Sequence, residues 1–255
     1  MPDRSTRARG RPLAAATAVL AAALALPAPL ATAADAAGRD PLERLNRATY
    51  AFNDLLDRML ARPAARAYRA AVPPPARRAV SNFSSNLLYP TVVVNDALQG
   101  KLRDAASDAA RFVVNSVAGI GGFGDPATRI GLAAHDEDFG QTLGRWGVPA
   151  GPYLVLPFLG PSDLRDAPAR YVDRYTSVPH YAPTARVEYG VGVLYLLDRR
   201  TELLSVDEAL KRAFDPYALV RNAYRERREY LVRDGNLPEE SYEVPAAEPP
   251  GGTAR

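Results

Sequence analysis

Residues 40–60 impose a helix with one apolar side, and that pattern governs what this chain can fold into. Asp40 can cap the helix, Pro41 suits its first turn, and Glu43 suits its positive end. At about 100° per residue, Leu42, Leu45, Phe52, Leu55, Leu56, Met59 and Leu60 fall within an arc of about 140°. Glu43, Arg44, Arg47, Asp54, Asp57 and Arg58 lie opposite. Asp215-Pro216 repeats the same opening and predicts a helix to Arg233, with Leu219, Val220, Tyr224, Tyr230 and Leu231 on its apolar face.

Between these two helices the chain is helical and heavily punctuated. Pro63 and Pro73–Pro75 separate a helix over 64–71 from one over 76–87, and Tyr89-Pro90 separates that from one over 91–98. A long amphipathic helix spans 102–118, with Ala109, Phe112, Val113 and Val117 on one face. Further helices are expected at 136–145, 163–174, 186–200 and 205–213. The stretch GPYLVLPFLGP (residues 151–161) is apolar, but Pro157 argues against a regular central strand. An extended segment or a buried loop fits better. With no internal repeat and no series of β-hairpins, the fold is mostly α. The apolar stripes have two uses: they can bury one another in a core, or some can lie in a membrane interface. Periodicity alone favours the core.

The net charge of +3 comes from the N-terminus. Arg4, Arg7, Arg9 and Arg11 stand there against Asp3, and the remaining 28 basic and 28 acidic residues cancel. Charge therefore gives no reason to expect nucleic-acid binding. The basic stretch precedes an apolar run from Leu13 to Leu26 and an A-x-A site at Ala31-Thr32-Ala33. These are the parts of a secretory signal peptide over residues 1–33; the run is shorter than the roughly 20 residues a membrane-spanning helix needs. The expected organisation is a signal peptide (1–33), a tether (34–39), a helical domain (40–233) and a disordered tail (234–255). The chain has no cysteine, which excludes disulfides, thiolate metal sites and thiol lipidation.

Catalytic signals are thin. Residues 119–124 read GIGGFG, which matches the dinucleotide fingerprint G-x-G-x-x-G. That fingerprint needs a strand before it, but the preceding residues continue a helical pattern. Gly119 ending a helix and the following glycines allowing a tight reversal is the better reading. His135, in the run HDED, could suggest a metal ligand; a solvated turn is the simpler reading. His180 stands alone. Arg77-Arg78, Arg199-Arg200 and Arg227-Arg228 read as solvated helix faces. No catalytic residue, metal or cofactor is expected.

The motifs taken together resemble one family. DPLERLNRATYAFN (40–53), VPPPARRAVSNF (72–83), Asn86-Leu87 and NDALQG (95–100) are followed by RFVVNSVAGIGGFGDPA (111–127). FGQTLGRWGVPAGPY (139–153), LPFLGPSDLRD (156–166) and DPYALVRNAY (215–224) complete the series. In this order they resemble the MlaA (VacJ) family of outer-membrane lipoproteins. The resemblance implies an all-α, multi-helix ring with amphipathic interfacial helices and Gly/Pro-rich loops, seated on the periplasmic side of the outer membrane. It implies retrograde phospholipid transport that maintains outer-membrane asymmetry, through a channel and without bond chemistry. The implied partners are phospholipid, the membrane, a trimeric outer-membrane porin and a periplasmic lipid-carrier protein.

By the same resemblance, Tyr50, Phe52 and Asn53 belong to the channel. Trp146, Gly147, Val148, Pro149, Gly151 and Pro152 fall at a gating hairpin. Gly119, Gly121, Gly122, Phe123 and Asp125 form a structural turn. Leu42, Leu45, Leu55, Leu56, Met59 and Leu60 would face the membrane. The family is usually anchored through a Cys that this chain lacks, so the apolar arc of the first helix is expected to replace the anchor. A soluble periplasmic phospholipid carrier is the competing expectation; an exported hydrolase acting through His135 or His180 is a third.

Overall fold

A computed structural model describes residues 40–237. The expected signal peptide and tether and most of the expected tail lie outside the described residues. The chain forms ten α-helices and one β-hairpin among these residues. The first helix, α1 (Glu43–Leu56), continues through a π-turn (Asp57–Ala61) into α2 (Arg62–Ala71). Then come α3 (Pro74–Leu98), α4 (Leu102–Val117) and the short α5 (Pro126–Arg129) and α6 (Phe139–Arg145). Strands β1 (Tyr153–Leu156) and β2 (Gly160–Asp163) pair antiparallel, with Tyr153 opposite Asp163 and Leu156 opposite Gly160. The chain closes with α7 (Asp166–Thr176), a 3₁₀ turn (Val178–Tyr181), α8 (Ala185–Glu202), a second 3₁₀ turn (Leu203–Ser205), α9 (Asp207–Arg212) and α10 (Pro216–Val232).

Two expectations from the sequence are corrected and a third is sharpened. Pro63 does not end the first helix. It stands at the second position of α2, directly after the widened π-turn, where a missing N–H and a bulky ring are tolerated. Pro90 does not divide the second long segment either; α3 runs through it as one helix of 25 residues. A mid-helix proline removes one hydrogen bond. Here α4, α6, α7 and α8 all pack on α3, and its buried neighbours Tyr89 and Thr91 are held by that packing. Finally, the stretch read as an extended segment or a buried loop is extended, and it pairs: Tyr153–Leu156 and Gly160–Asp163 form a two-stranded hairpin. Pro157 falls in its turn, where the sheet needs no N–H.

The packing runs in a closed circuit. α1 leads into α2, α2 packs on α8, and α8 packs on α3. α3 packs on α6, α6 on α10, and α10 on β2; β1 returns to α1. This is a ring of helices closed by a hairpin.

Its polarity is inverted relative to a soluble domain. Among the described residues, more polar and charged residues are buried than hydrophobic ones. Asn46, Ser84, Asn95, Asp96, Asp108, Gln141, Thr142 and Ser162 are all within 1% of full burial. Meanwhile Leu45, Leu55, Met59 and Leu60 of the first helix are exposed, Met59 and Leu60 at 70%. The amphipathic face predicted for α4 points outward too: Val113 and Val117 are exposed, while Ala105, Asp108, Arg111 and Asn115 are buried. The apolar stripes do not bury one another, as periodicity had favoured. They cover the surface.

Candidate functional site

The hairpin is held from both sides by side chains. On one side, α1 presents two asparagines seven residues apart, hence on one face of the helix. Asn46 Nδ2 donates to the Tyr153 carbonyl at 2.8 Å, and its Oδ1 accepts from Val155 N at 2.9 Å. Asn53 repeats the clamp at the hairpin turn, donating to the Leu156 carbonyl and accepting from Phe158 N, both at 2.9 Å. Asp40 anchors the start of α1. Its carboxylate accepts from Leu42 N, from Asn46 Nδ2 and from the Tyr217 hydroxyl.

On the other side stands α10, opened by Asp215 accepting from Ala218 N. Tyr217 meets Tyr50 and Tyr153 edge-to-face, and Tyr224 packs on Tyr153. One turn along, Arg228 reaches Asp138 at 2.6 Å and Asp166 at 2.5 Å. Arg165 also pairs with Asp166, at 2.8 Å. Burial opposes ionisation of Asp166, but Arg228 and Arg165 together hold its carboxyl below the usual range. Asp163 behaves oppositely: burial, and then the charge of Asp166, pushes it up to about 7.

Between the hairpin and α10 lies a cavity of about 500 Å³, lined among others by Gly151, Tyr153, Arg165, Tyr224, Arg225 and Arg228. Its charges are not balanced within the wall. Arg165 and Arg228 are neutralised by the aspartates just described, and Arg233 by Glu229 at 3.0 Å. Arg225 has no ion pair or hydrogen bond among the described residues. Its Nη2 is buried without a partner, and its guanidinium lies 6.0 Å from the Tyr153 ring. The Tyr153 hydroxyl is likewise buried and unpartnered. Burial pushes that phenol up to about 12, so it stays a donor. Both residues belong to the cavity wall, but these two donor atoms are closed off from it; turned inward, a guanidinium N–H and a phenol O–H suit a phosphate or carboxylate, and buried donors left alone are costly.

Comparison with known proteins fits this geometry. The family model described as MlaA lipoprotein matches residues 38–231. The chain belongs to the MlaA lipoprotein family. It is 40% identical over 211 residues to the intermembrane phospholipid transport system lipoprotein MlaA of Escherichia coli (strain K12), covering 80% of this chain and 82% of that protein. The MlaA of Haemophilus influenzae is 34% identical over 213 residues, covering 81% and 84%. A solved structure described as the structural basis for maintenance of bacterial outer membrane lipid asymmetry superposes with a TM-score of 0.70. It is 37% identical and covers 76% of this chain and 99% of its own.

In this MlaA-family chain the residues singled out from sequence separate into four groups. Tyr50, Phe52 and Asn53 all serve the hairpin. Tyr50 packs behind Tyr153, Asn53 clamps the turn, and Phe52 meets Phe158 edge-to-face at 5.5 Å. The stretch Trp146–Pro152 is not itself a hairpin. Gly147, at φ +90°, ends α6, with Val148 N donating back to the Leu143 carbonyl. Trp146 Nε1 donates to the Leu98 carbonyl. Pro149 follows in the extended link. The Ala150 and Pro152 carbonyls accept from Arg165 N and Leu164 N, so this end leads into β1. Gly151, at φ +70°, sits in the cavity wall, and a Cβ there would meet Leu164 Cβ at 3.2 Å.

The third group is the turn at 119–125. No strand precedes it; α4 does. Gly119 has no room for a side chain, since a Cβ would lie 2.3 Å from the Asn115 carbonyl oxygen. Ile120, Gly121 and Gly122 all adopt positive φ. Phe123 stacks on Phe83 at 4.6 Å, and Asp125 accepts from Thr128 N and pairs with Arg111 at 2.6 Å. Of the six predicted membrane-facing residues, Leu45, Leu55, Met59 and Leu60 are exposed; Leu42 and Leu56 are half-buried.

Two sequence readings are corrected. The HDED run is not a solvated turn, because only Asp136 is exposed there. His135 contacts buried Asp108, Glu137 binds Lys101, and Asp138 caps α6 and holds Arg228. Nor are the arginine pairs simply solvated: Arg200 and Arg228 sit in nearly buried ion-pair networks. Sequence reasoning missed Arg225, Arg165 and Asp166. The LRD run at 164–166 was a signal only for resemblance, and Arg225 is one of many arginines on α10.

Proposed function

We propose that this protein acts in intermembrane phospholipid transport, passing phospholipid from the outer leaflet of the outer membrane toward a periplasmic carrier. It does so without bond chemistry. The observation that carries this reading is the pairing of an apolar exterior with an unbalanced cationic cavity. The exposed arc of α1 and the π-turn offers Leu45, Leu55, Met59 and Leu60 to a lipid phase. Each such side chain contributes roughly 1.5–3 kcal/mol on full burial, so partial insertion of several matches the marginal binding given by one acyl chain. No helix of the described residues is long and apolar enough to cross a membrane; the arrangement suits a ring lying in one leaflet.

In this reading the phosphate of a phospholipid meets Arg225 and the Tyr153 hydroxyl, and the tyrosine rings line its glycerol. A guanidinium suits phosphate because it is always charged and presents several donors in a plane. A cavity of about 500 Å³ holds a headgroup, and the acyl chains lie along the apolar surface beside Leu164 and Phe158. The hairpin, held by Asn46 and Asn53, forms one wall and is the element whose movement would open the path. A trimeric porin would hold the ring, and a periplasmic protein would accept the lipid.

Extraction in mild detergent, followed by mass spectrometry of co-purifying lipid and protein, tests this reading. Phospholipid together with a trimeric porin is the expected result. Phospholipid on a protein recovered wholly from the soluble periplasm would support the carrier reading in its place. Arg225→Gln should lower bound phospholipid at least several-fold while leaving thermal stability within about 0.5 kcal/mol, with Arg225→Lys recovering part of it.

A further inference from the structure

Away from the cavity, where α3 and α4 pack together, buried oxygens converge with no hydrogen-bond partner. Asp96 on α3 is 1% exposed, and neither of its carboxylate oxygens has a partner. Asp108 on α4 is fully buried, and its Oδ1 is also unpartnered. The buried Tyr89 hydroxyl, two helical turns before Asp96, lies beside Asp108. His135, from the loop before α6, closes the group, with its Nδ1 2.7 Å from Asp108 Oδ2. One ligand atom from each of Asp96, Asp108 and His135 lies within 4.8 Å of the other two.

The nearby cations are committed elsewhere. Lys101 is held by Glu137 and Asp234. Arg111 is held by Asp125. Asp96 makes no ion pair among the described residues, and Asp108 pairs only with His135. Each buried polar group left unsatisfied costs about 1–3 kcal/mol, and two uncompensated carboxylates cost more. Two facing buried carboxylates call for a counter-charge.

We propose that Asp96, Asp108 and His135 form a divalent cation site that fastens the loop before α6 to the α3–α4 pair. Two carboxylates neutralise a dication, and a neutral imidazole completes a three-ligand set. An imidazole nitrogen with carboxylate oxygens suits Zn²⁺ first and Mn²⁺ second. Ca²⁺ takes six to eight oxygens, which this cluster does not supply. Half-exposed His135, at 35% side-chain accessibility, gives the ion an entrance, while the aspartates are closed off behind it.

The test uses protein extracted from membranes in mild detergent, with metal content measured as isolated. The protein is then stripped with a chelator and titrated with Zn²⁺, Mn²⁺ or Ca²⁺ by calorimetry. About one Zn²⁺ per chain is expected, with Tm rising by roughly 5–10 °C at a hundred-fold excess over Kd. Asp96→Asn and His135→Ala should each weaken Zn²⁺ binding at least ten-fold. His135→Ala also removes the contact to buried Asp108 and should lower the metal-free Tm, so Zn²⁺ binding is titrated at a temperature where the metal-free variant is folded, which separates lost binding from lost folding. Binding of Ca²⁺ alone, or unchanged Zn²⁺ binding by His135→Ala, would overturn the proposal. So would failure to bind any of the three with Asp96→Asn raising the Tm, since the aspartates then share a proton and hold no metal.

Discussion

Helices α1 and α10 both start at or just after an Asp-Pro pair and both hold the hairpin, α1 at β1 and α10 at β2, yet their outer faces differ. Along α1 and the turn that follows it, Leu45, Leu55, Met59 and Leu60 face outward. Along α10 the exposed positions are largely polar, including Asn222, Glu226, Arg227 and Glu229. The aspartates of the two pairs differ as well: Asp215 is the N-cap of α10, while Asp40 stands two residues before the N-cap of α1, Leu42. Asp40 is buried and bound by the Tyr217 hydroxyl, whereas Asp215 is half-buried and held by Arg47 at 2.6 Å. One side of the ring suits hydrocarbon and the other suits water, and the polar seam between them holds the hairpin.

That seam is where the comparison breaks most readily. Arg228 joins α10 to the loop before α6 through Asp138 and to α7 through Asp166. Arg228→Met would take one of two cations from buried Asp166 and leave half-exposed Asp138 without the arginine it holds. Removing one partner of a buried pair costs about 3–5 kcal/mol. Thermal unfolding in detergent should show a drop of roughly 6–20 °C. A drop under about 2 °C would mean that the seam is wetter than its burial implies.

The seam should also respond to pH. Burial, and then the charge of Asp138, pushes Asp173 up to about 7, the value reached by Asp163. Unfolded, both carboxyls titrate near 3.8. Between those values the native state holds more protons than the unfolded chain, so stability falls as pH rises from about 4 to 7. Asp57 and Asp215 act the other way. Their depressed values add stability above about pH 4, lost as pH falls further, toward about 2 for Asp215. Tm should therefore be higher near pH 5 than at pH 8, by a few kcal/mol equivalent at most. Asp163→Asn should flatten that slope; an equally steep slope in this variant would assign the effect elsewhere.

The two asparagines of α1 allow a finer comparison within one helix. Asn46 is buried and serves Tyr153, Val155 and Asp40; Asn53 is half-buried at the hairpin turn. Asn46→Ala strands more buried groups and should cost about 2–4 kcal/mol, against about 1–2 for Asn53→Ala. Equal losses would mean that the turn is held as firmly as the strand.

The sequence carried the helices and their order because caps and 3.6-residue periods are local. It did not carry the continuity of α3 through Pro90 or of α1 into α2 past Pro63, since neighbours, not propensity, maintain those helices. Likewise, the amphipathic arc of α1 was legible, but not whether it faced inward. That depends on whether Asn46, on the less apolar side, finds a partner, and Tyr153 lies more than a hundred residues away. The cavity was illegible for a related reason. Arg225 looks like any other arginine of α10 until Arg228, Arg165 and Arg233 are seen to be paired and Arg225 is not. His135 was read as solvent-facing because its partner, Asp108, comes from another element, α4.

The smallest effect on stability should accompany the clearest effect on location. Leu55→Lys with Met59→Lys places two charges on exposed positions of α1 and the π-turn, where folding loses no packed side chain. Surface substitutions of this kind usually change stability by no more than about 0.5 kcal/mol. In a leaflet the same charges oppose insertion and remove two of the side chains that provide it. The double variant should keep its Tm and move from the membrane pellet toward the soluble fraction. On α10, Glu226→Lys with Asn222→Lys adds the same number of lysines to a face already polar, and should move nothing. If both double variants stayed in the membrane, the exposed arc would not be what holds the protein there. A protein-protein contact elsewhere on the ring would then carry the attachment. If both left it, the response would report added positive charge and not the apolar face. Only a difference between the two helices supports a ring with one side in lipid and one in water.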